Sequence, residues 1–258
     1  MIRTVHASDI GRVRTVNEDS VWIGVTHNGY TLGIIADGMG GHLAGDTASR
    51  LALETIKNAL DGLQPDLPEE ELQGALAAAI YEANSAVHNE ASRDEKYHNM
   101  GTTVVTVLLN GPDGYIGHIG DSRAYLIKDG IAVQLTDDHT LVNELFKNGQ
   151  ISHEELDNHP RRNVLTRALG TDAEVTADLA PVHLSQGELL LLCSDGLSNF
   201  VSQEHLGKVA GIHEISLEER ADRLLQLALL AGGGDNISVA LLEHQGVAAV
   251  PETKEWDK

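Results

Sequence analysis

Between residues 102 and 135 the chain reads Thr102-Thr103-Val104-Val105-Thr106-Val107-Leu108-Leu109, the turn Gly111-Pro112-Asp113-Gly114, then Tyr115-Ile116-Gly117-His118-Ile119-Gly120, Ala124-Tyr125-Leu126-Ile127, the turn Asp129-Gly130 and Ile131-Ala132-Val133-Gln134-Leu135. Short β-type segments follow one another with only tight turns between them. A parallel pair needs a crossover of roughly a dozen residues or more, so these neighbours pair antiparallel. Upstream, Val21–Val25 and Thr31–Ala36 flank Asn28-Gly29 and read as a hairpin. Between hairpin and strand run, the period changes to that of helices. Ala48, Leu51, Ala52, Ile56, Ala59, Leu60 and Leu63 form one stripe over about Gly45 to Leu63. Leu72, Ala75, Leu76, Ala79, Ile80, Ala83 and Val87 form another, in a helix running from Pro68 and Glu69–Glu71 to about Ala91.

Downstream, residues 139–170 are polar and weakly periodic around His159-Pro160-Arg161-Arg162, and predict short helices and an exposed flap. Leu189–Cys193 is a continuous apolar strand, buried on both faces. Ser216 with Glu219 predicts a capping box opening a helix to about Ala231, and Asn236–Leu242 a last strand. Strands in runs and helices in pairs give an α+β class, with two stacked sheets covered by helices on the outside. The expectation is a single domain over residues 1–245 and a polar tail over 246–258.

Composition bounds the function. The 258 residues carry 18 Lys+Arg against 39 Asp+Glu, a net charge of −21, which disfavours nucleic acid or an anionic membrane as partner. A single cysteine, Cys193, excludes an internal disulfide framework and reads as inert packing in its apolar strand. No run of about 18 apolar residues and no signal-peptide stretch is present, so the expectation is a cytoplasmic protein without membrane insertion.

Certain acids sit at strand ends beside glycine. Asp37 follows Thr31–Ala36 and precedes Gly38-Met39-Gly40-Gly41-His42; Asp195 follows Leu189–Ser194 and precedes Gly196. Asp121 follows Tyr115–Gly120, Asp235 lies between Gly232-Gly233-Gly234 and Asn236, and Glu18 and Asp19 precede Val21. Any one Asp-Gly pair is most simply a turn. Several beside core strands point to convergence, and two like charges at about 4 Å repel by ~4 kcal/mol at an effective dielectric of ~20. Such a cluster protonates or binds cations, and its hard oxygens favour Mg²⁺ or Mn²⁺ over Zn²⁺. Nucleotide motifs fail: Asp46 stands where a P-loop needs lysine, and Leu43 where a dinucleotide fingerprint needs glycine.

Six strings occur in a fixed order: Arg14-Thr15-Val16-Asn17-Glu18-Asp19, Ala36-Asp37-Gly38-Met39-Gly40-Gly41, Gly101-Thr102-Thr103, Gly120-Asp121-Ser122-Arg123, Ser194-Asp195-Gly196-Leu197 and Gly234-Asp235-Asn236. Together, from about Ile2 to Leu242, the chain resembles the metal-dependent (type 2C) protein serine/threonine phosphatases, in particular the stand-alone bacterial members that oppose membrane-anchored kinases. The resemblance implies a four-layer α-β-β-α sandwich, two mainly antiparallel sheets flanked by antiparallel helix pairs, with two Mn²⁺ or Mg²⁺ ions at one end. It makes Asp37 the bridging carboxylate, puts the Gly38 carbonyl on one ion and gives Asp195 and Asp235 to the other. Glu18 and Asp19 act directly or through water, and Asp121 with Asp195 supports a third ion. Arg14 matches the phosphate-binding arginine. Met39 departs from many eukaryotic members, which have histidine there; His42, three residues on, matches the bacterial pattern of a candidate general acid. The implied reaction is attack on phosphoserine or phosphothreonine by a metal-activated bridging water, with no phosphoenzyme. The implied partners are phosphoproteins and a cognate Ser/Thr kinase; the enzyme is expected to be monomeric, and the flap, polar, loop-like and set between metal motifs, to select substrate. Two rival readings are a fold relative that only binds phosphoproteins, disfavoured because every metal-core acid is present, and a two-metal hydrolase of small phosphate esters, disfavoured by the ordered motifs.

Overall fold

The computed structural model describes residues 1–40, 44–93, 95–97 and 99–245. In chain order the elements are β1 (Ile2–Asp9), β2 (Asp19–Val25), β3 (Thr31–Met39), α1 (Ala44–Asp61), α2 (Glu69–Arg93), β4 (Gly101–Thr102), β5 (Val104–Asn110), β6 (Asp113–Ile119), β7 (Arg123–Lys128) and β8 (Ile131–Gln134). There follow α3 (Leu141–Lys147), α4 (His153–Asn158), β9 (Asp178–His183), β10 (Leu189–Cys193), α5 (Asp195–Ser198), α6 (Gln203–Ala210), α7 (Leu217–Leu230) and β11 (Ile237–His244).

The strands form two antiparallel sheets, ordered β1-β11-β10-β7-β8 and β2-β3-β5-β6-β9, with β4 paired to the end of β3. Period-two alternation divides their side chains between three cores. In β10, Leu190 and Leu192 face the other sheet, while Leu189, Leu191 and Cys193 face α6 and α7. In β3, Ile35 points between the sheets, while Leu32 and Ile34 pack under α1 and α2. Ala48, Ala52, Ile56 and Leu60 of α1 and Leu72, Leu76, Ile80 and Val87 of α2 close that layer. The order is therefore helix pair, sheet, sheet, helix pair, the four-layer sandwich expected.

Two strands lie outside the predicted set, and each has a physical reason. β1 is half-exposed along its length and shows no apolar run, yet pairs with β11 from Ile2↔His244 to Asp9↔Ile237. β9 contains Pro181, which reads as a strand breaker; it is an edge strand, where a missing N–H costs no ladder bond. At α7, Ser216 accepts from the Glu219 N–H as expected, but the Glu219 carboxylate bonds Arg223 at 2.7 Å. The reciprocal capping box forms instead at Ser152 and Glu155, opening α4.

Residues 139–170 contain the short helices α3 and α4 and return through bridges Thr140↔Leu165 and Thr102↔Leu169. Residues 246–258 and His42 lie outside the described residues. Among the described residues no helix is long and apolar enough to cross a membrane.

Candidate metal centre

The centre begins with a register. In the β2–β3 ladder Asp19 lies directly opposite Asp37, so one hairpin brings two carboxyl-bearing residues together. The end of β3 is then fixed by the adjoining strand. Thr103 N–H and Thr102 Oγ1 both donate to the Asp37 carbonyl at 2.9 Å, and the Asp37 N–H donates to Thr103 Oγ1 at 3.1 Å. At Gly38 a side chain would run into the Gly45 and Glu18 backbones, so glycine is required by close approach. Glu18 is anchored by its N–H to Asn236 Oδ1 at 2.8 Å, and Asn236 Nδ2 donates to the Ile10 and Val16 carbonyls. That one amide side chain ties the loop carrying Arg14 to the start of β11.

The opposite sheet delivers the remaining acids. Asp195 follows β10 and opens α5; a Cβ at Gly196 would strike the Asn236 carbonyl. Asp235 accepts from Arg14 at 2.8 Å, and Asp19 accepts from Ser194 Oγ at 2.7 Å. Asp121 is turned off the end of β6 by Gly120, whose φ is +102°. A cavity of about 570 Å³ is lined by Arg14, Glu18, Asp37, Asp121, Asp195 and Asp235. Gly38 lines it too, while Asp19 lies behind, opposite Asp37. The far wall belongs to the segment returning from the flap, including Arg167.

The electrostatics are those of crowded acids. Burial first, then repulsion from Asp19, Asp195, Asp121 and Asp235, holds the Asp37 carboxyl well above the usual range. Burial also pushes Asp19 to about 7, partly offset by its bonds from Ser194 and Ser238. Asp121 rises to about 7 through burial and Asp195, and Asp195 to about 6 through burial and Asp235. Glu18 is raised by burial, while its Arg14 and Gly45 neighbours oppose the shift. Among the described residues, Asp19 Oδ1 is buried without a hydrogen-bond partner. An all-oxygen donor set, mutual repulsion and an orphaned buried carboxylate oxygen fit hard divalent cations, which would satisfy all three at once.

The strand-end pattern pointed to convergence of Glu18, Asp19, Asp37, Asp121, Asp195 and Asp235, and the resemblance added Arg14 and Gly38; the structure puts all of these but Asp19 on the cavity lining. The side chains that hold them were not legible in the sequence. Asn236 and Ser194 stand inside the quoted strings as neighbours only, and Arg167 carries no strand-end or glycine signature. Neither does a compact group of His118, His139 and Asp178, whose ligand atoms lie within 4.8 Å of one another.

The sequence profile described as Protein phosphatase 2C matches residues 11–229. The chain is 39% identical over 237 residues to the serine/threonine phosphatase Stp of Listeria monocytogenes, covering 92% of this chain and 94% of that one. The crystal structure of the serine/threonine phosphatase PstP/Ppp of Mycobacterium tuberculosis superposes with a TM-score of 0.86 at 39% identity, covering 95% of this chain and 99% of that one. A structure of the catalytic domain of serine/threonine protein phosphatase PstP in complex with two manganese ions gives 0.82 at 37% identity, with coverage of 95% and 99%. Profile, relatives and four-layer fold agree with the carboxylate-lined cavity: this chain belongs to the protein phosphatase 2C family and is a protein-serine/threonine phosphatase.

Proposed function

We propose that the enzyme hydrolyses phosphoserine and phosphothreonine in proteins at the carboxylate cavity, opposing a Ser/Thr kinase in the cytoplasm and acting as a monomer. The observation that carries the site is the meeting of Asp37, Asp195 and Asp235, from three separated parts of the chain, in one cavity with Arg14 at its rim. Two ions, Mn²⁺ or Mg²⁺, are assigned to Asp37, the Gly38 carbonyl, Asp195 and Asp235. Glu18 and Asp19 act directly or through water, and Asp121 with Asp195 serves a third position. Such a pair supplies a water acidified far enough to attack phosphorus at neutral pH, together with charge for the phosphate dianion. The PstP structure with two manganese ions supports the count and the metal.

The chain's own groups do the rest. Arg14 is half-exposed and donates to Asp235 through one amino group; a guanidinium presents five N–H donors in a rigid fork, so the same residue can also bind phosphate oxygens. Asp235 thus orients Arg14 toward the cavity. His42, two residues beyond the cavity-lining Gly40, is assigned the proton delivered to the leaving serine or threonine oxygen. The buried Cys193 thiol, pushed up to about 12 by desolvation, is no nucleophile, in keeping with direct attack by water. The flap, residues 139–170, is assigned substrate selection, because Asn163, Leu165 and Thr166 stand on the cavity wall. The test is turnover of p-nitrophenyl phosphate and of a phosphothreonine peptide, with Mn²⁺ and with EDTA. Hydrolysis of both that needs metal is expected; metal-independent turnover, or turnover of the small ester alone, would overturn the reading.

A further inference from the structure

Away from the carboxylates, one histidine makes a contact pattern that the reaction as described does not use. His139 begins the flap and grips a single residue, Gly120, at both ends of its backbone. The His139 N–H donates to the Gly120 carbonyl at 2.9 Å, and the Gly120 N–H donates to His139 Nδ1 at 3.1 Å. Gly120 is the residue before Asp121, held at a positive φ that a side chain would strain, with Thr103 packed against it. The imidazole is in turn fixed. Its Nε2 lies 3.2 Å from Asp178 Oδ2, and Asp178 receives Arg167 at 2.7 Å from the cavity wall. On the ring face His118 stacks at 4.6 Å between centroids, and is itself held by its Nε2 on the Asp137 carbonyl.

The spacing of His118, His139 and Asp178 invites a metal reading. The contacts argue otherwise: Nδ1 of His139 is taken by an N–H group, Nε2 faces Asp178, and Asp178 is already neutralised by a guanidinium. A backbone N–H can only donate, so Nδ1 must be the acceptor and Nε2 must carry the proton toward Asp178. The neutral ring this requires is the form the site favours, because burial, His118 and Arg167 together lower the His139 pKa to about 4.

We infer that His139 is a positioning residue for Asp121: it clamps the Gly120 backbone so that the Asp121 carboxylate is presented to the metal centre, with Asp178 fixing the tautomer that makes the clamp. The inference rests on the proposed metal role of Asp121. It also gives Arg167, on the cavity wall, a hydrogen-bonded path through Asp178 and His139 to Asp121.

Two isosteres separate the two ring nitrogens. In His139→Asn the side-chain oxygen falls near Nδ1 and can still accept from Gly120; in His139→Gln the amide N–H falls near Nε2 and reaches only Asp178. The metal-free full-length proteins are titrated with MnCl₂ by calorimetry, and their melting temperatures are recorded in EDTA. His139→Gln is expected to weaken the weakest manganese site about tenfold or more, the usual scale for partners that orient ligands, while His139→Asn titrates close to wild type. Asp121→Asn is expected to weaken the same site, and adding His139→Gln to it to cost nothing further. If Asp121→Asn titrates like wild type, the metal reading of Asp121 fails. If Asp121→Asn is impaired but His139→Gln is not, or if His139→Asn is as impaired as His139→Gln, the clamp alone is overturned. Should His139→Gln not fold, Asp178→Ala replaces it: a several-fold weaker site is expected, and a wild-type titration would overturn the inference.

Discussion

Asp37 holds the assigned bridging position. Its carboxyl is surrounded by Asp19, Asp195, Asp121 and Asp235 and is held far above the ordinary range by burial and their charge. Asp37→Asn therefore acts with opposite signs on two observables. Turnover with saturating Mn²⁺ is expected to fall by well over the ~10–100-fold typical of residues that merely orient ligands. The metal-free protein is expected to melt higher than wild type, because Asn removes a carboxyl that the fold must either ionise beside four other acids or keep protonated at a pH where the unfolded chain would release the proton. Scanning calorimetry in EDTA together with a rate assay checks both, and a lower melting temperature would mean that the acids are not in contact. Arg14 belongs at the same scale: Arg14→Ala is expected to raise KM for a phosphopeptide more than it lowers kcat, since it binds phosphate before and during attack. An unchanged KM would remove it from the phosphate site. Asp37 was legible because several acids stand at the ends of core strands, most of them beside glycine, a recurrence that turns alone do not explain; Arg14 was legible only through the resemblance. Asn236 and His139 were not, because they act on backbone atoms of residues distant in sequence, and a contact with backbone leaves no mark on the partner's side-chain type; Ser194 was not, because its hydroxyl bonds the Asp19 carboxylate from 175 residues away.

At the scale of elements, strands within one sheet are unequal in how far they could be read. β10 has five consecutive apolar residues, all buried, and sits at the centre of its sheet between β11 and β7. β1 on the same sheet is half-solvated, and its identity as a strand comes wholly from pairing with β11, a partner more than two hundred residues away. Local pattern reports burial and turn chemistry, not pairing: the edge strands β2 and β8 are visible through the tight turns that join them to β3 and β7, whereas β1 and β9 have no such turn to a neighbour and are not. The energetics divide between centre and edge. Leu192→Ala, which empties a fully buried position between the sheets, is expected to cost about 2–5 kcal/mol. Val133→Ala in the edge strand β8, where the side chain is 52% exposed, should stay within about 0.5 kcal/mol. Urea unfolding of both variants, at constant m-value, compares them directly. Equal losses would show that the centre of the sandwich does not bear the stability assigned to it.

Over the whole molecule, the sandwich places the ends of strands from both sheets around one cavity, and that arrangement sets how stability responds to pH. Asp19 and Asp121 at about 7 and Asp195 at about 6 stand above the unfolded value of about 3.9. Between about pH 4 and pH 7 the folded metal-free protein therefore holds more protons than the unfolded chain, and its stability falls as pH rises through that window. His139, lowered to about 4 from an unfolded value near 6.5, binds fewer protons when folded and works in the other direction, but it is one group against three. The net charge of −21 near neutrality adds self-repulsion of the same sign as the carboxylates. Metal reverses the slope. Cations bind the deprotonated acids, so affinity increases with pH as protons are displaced. At a hundred times its dissociation constant each ion adds about 2.7 kcal/mol, or ~5–10 °C in a domain of this size. Melting curves at pH 5 and pH 7.5 should then diverge, the EDTA-treated protein melting lower at the higher pH and the Mn²⁺-loaded protein higher. A metal-free melting temperature that climbs across this window would mean that the acids at the strand ends are separately solvated, and the cavity could not then hold the ions on which turnover depends.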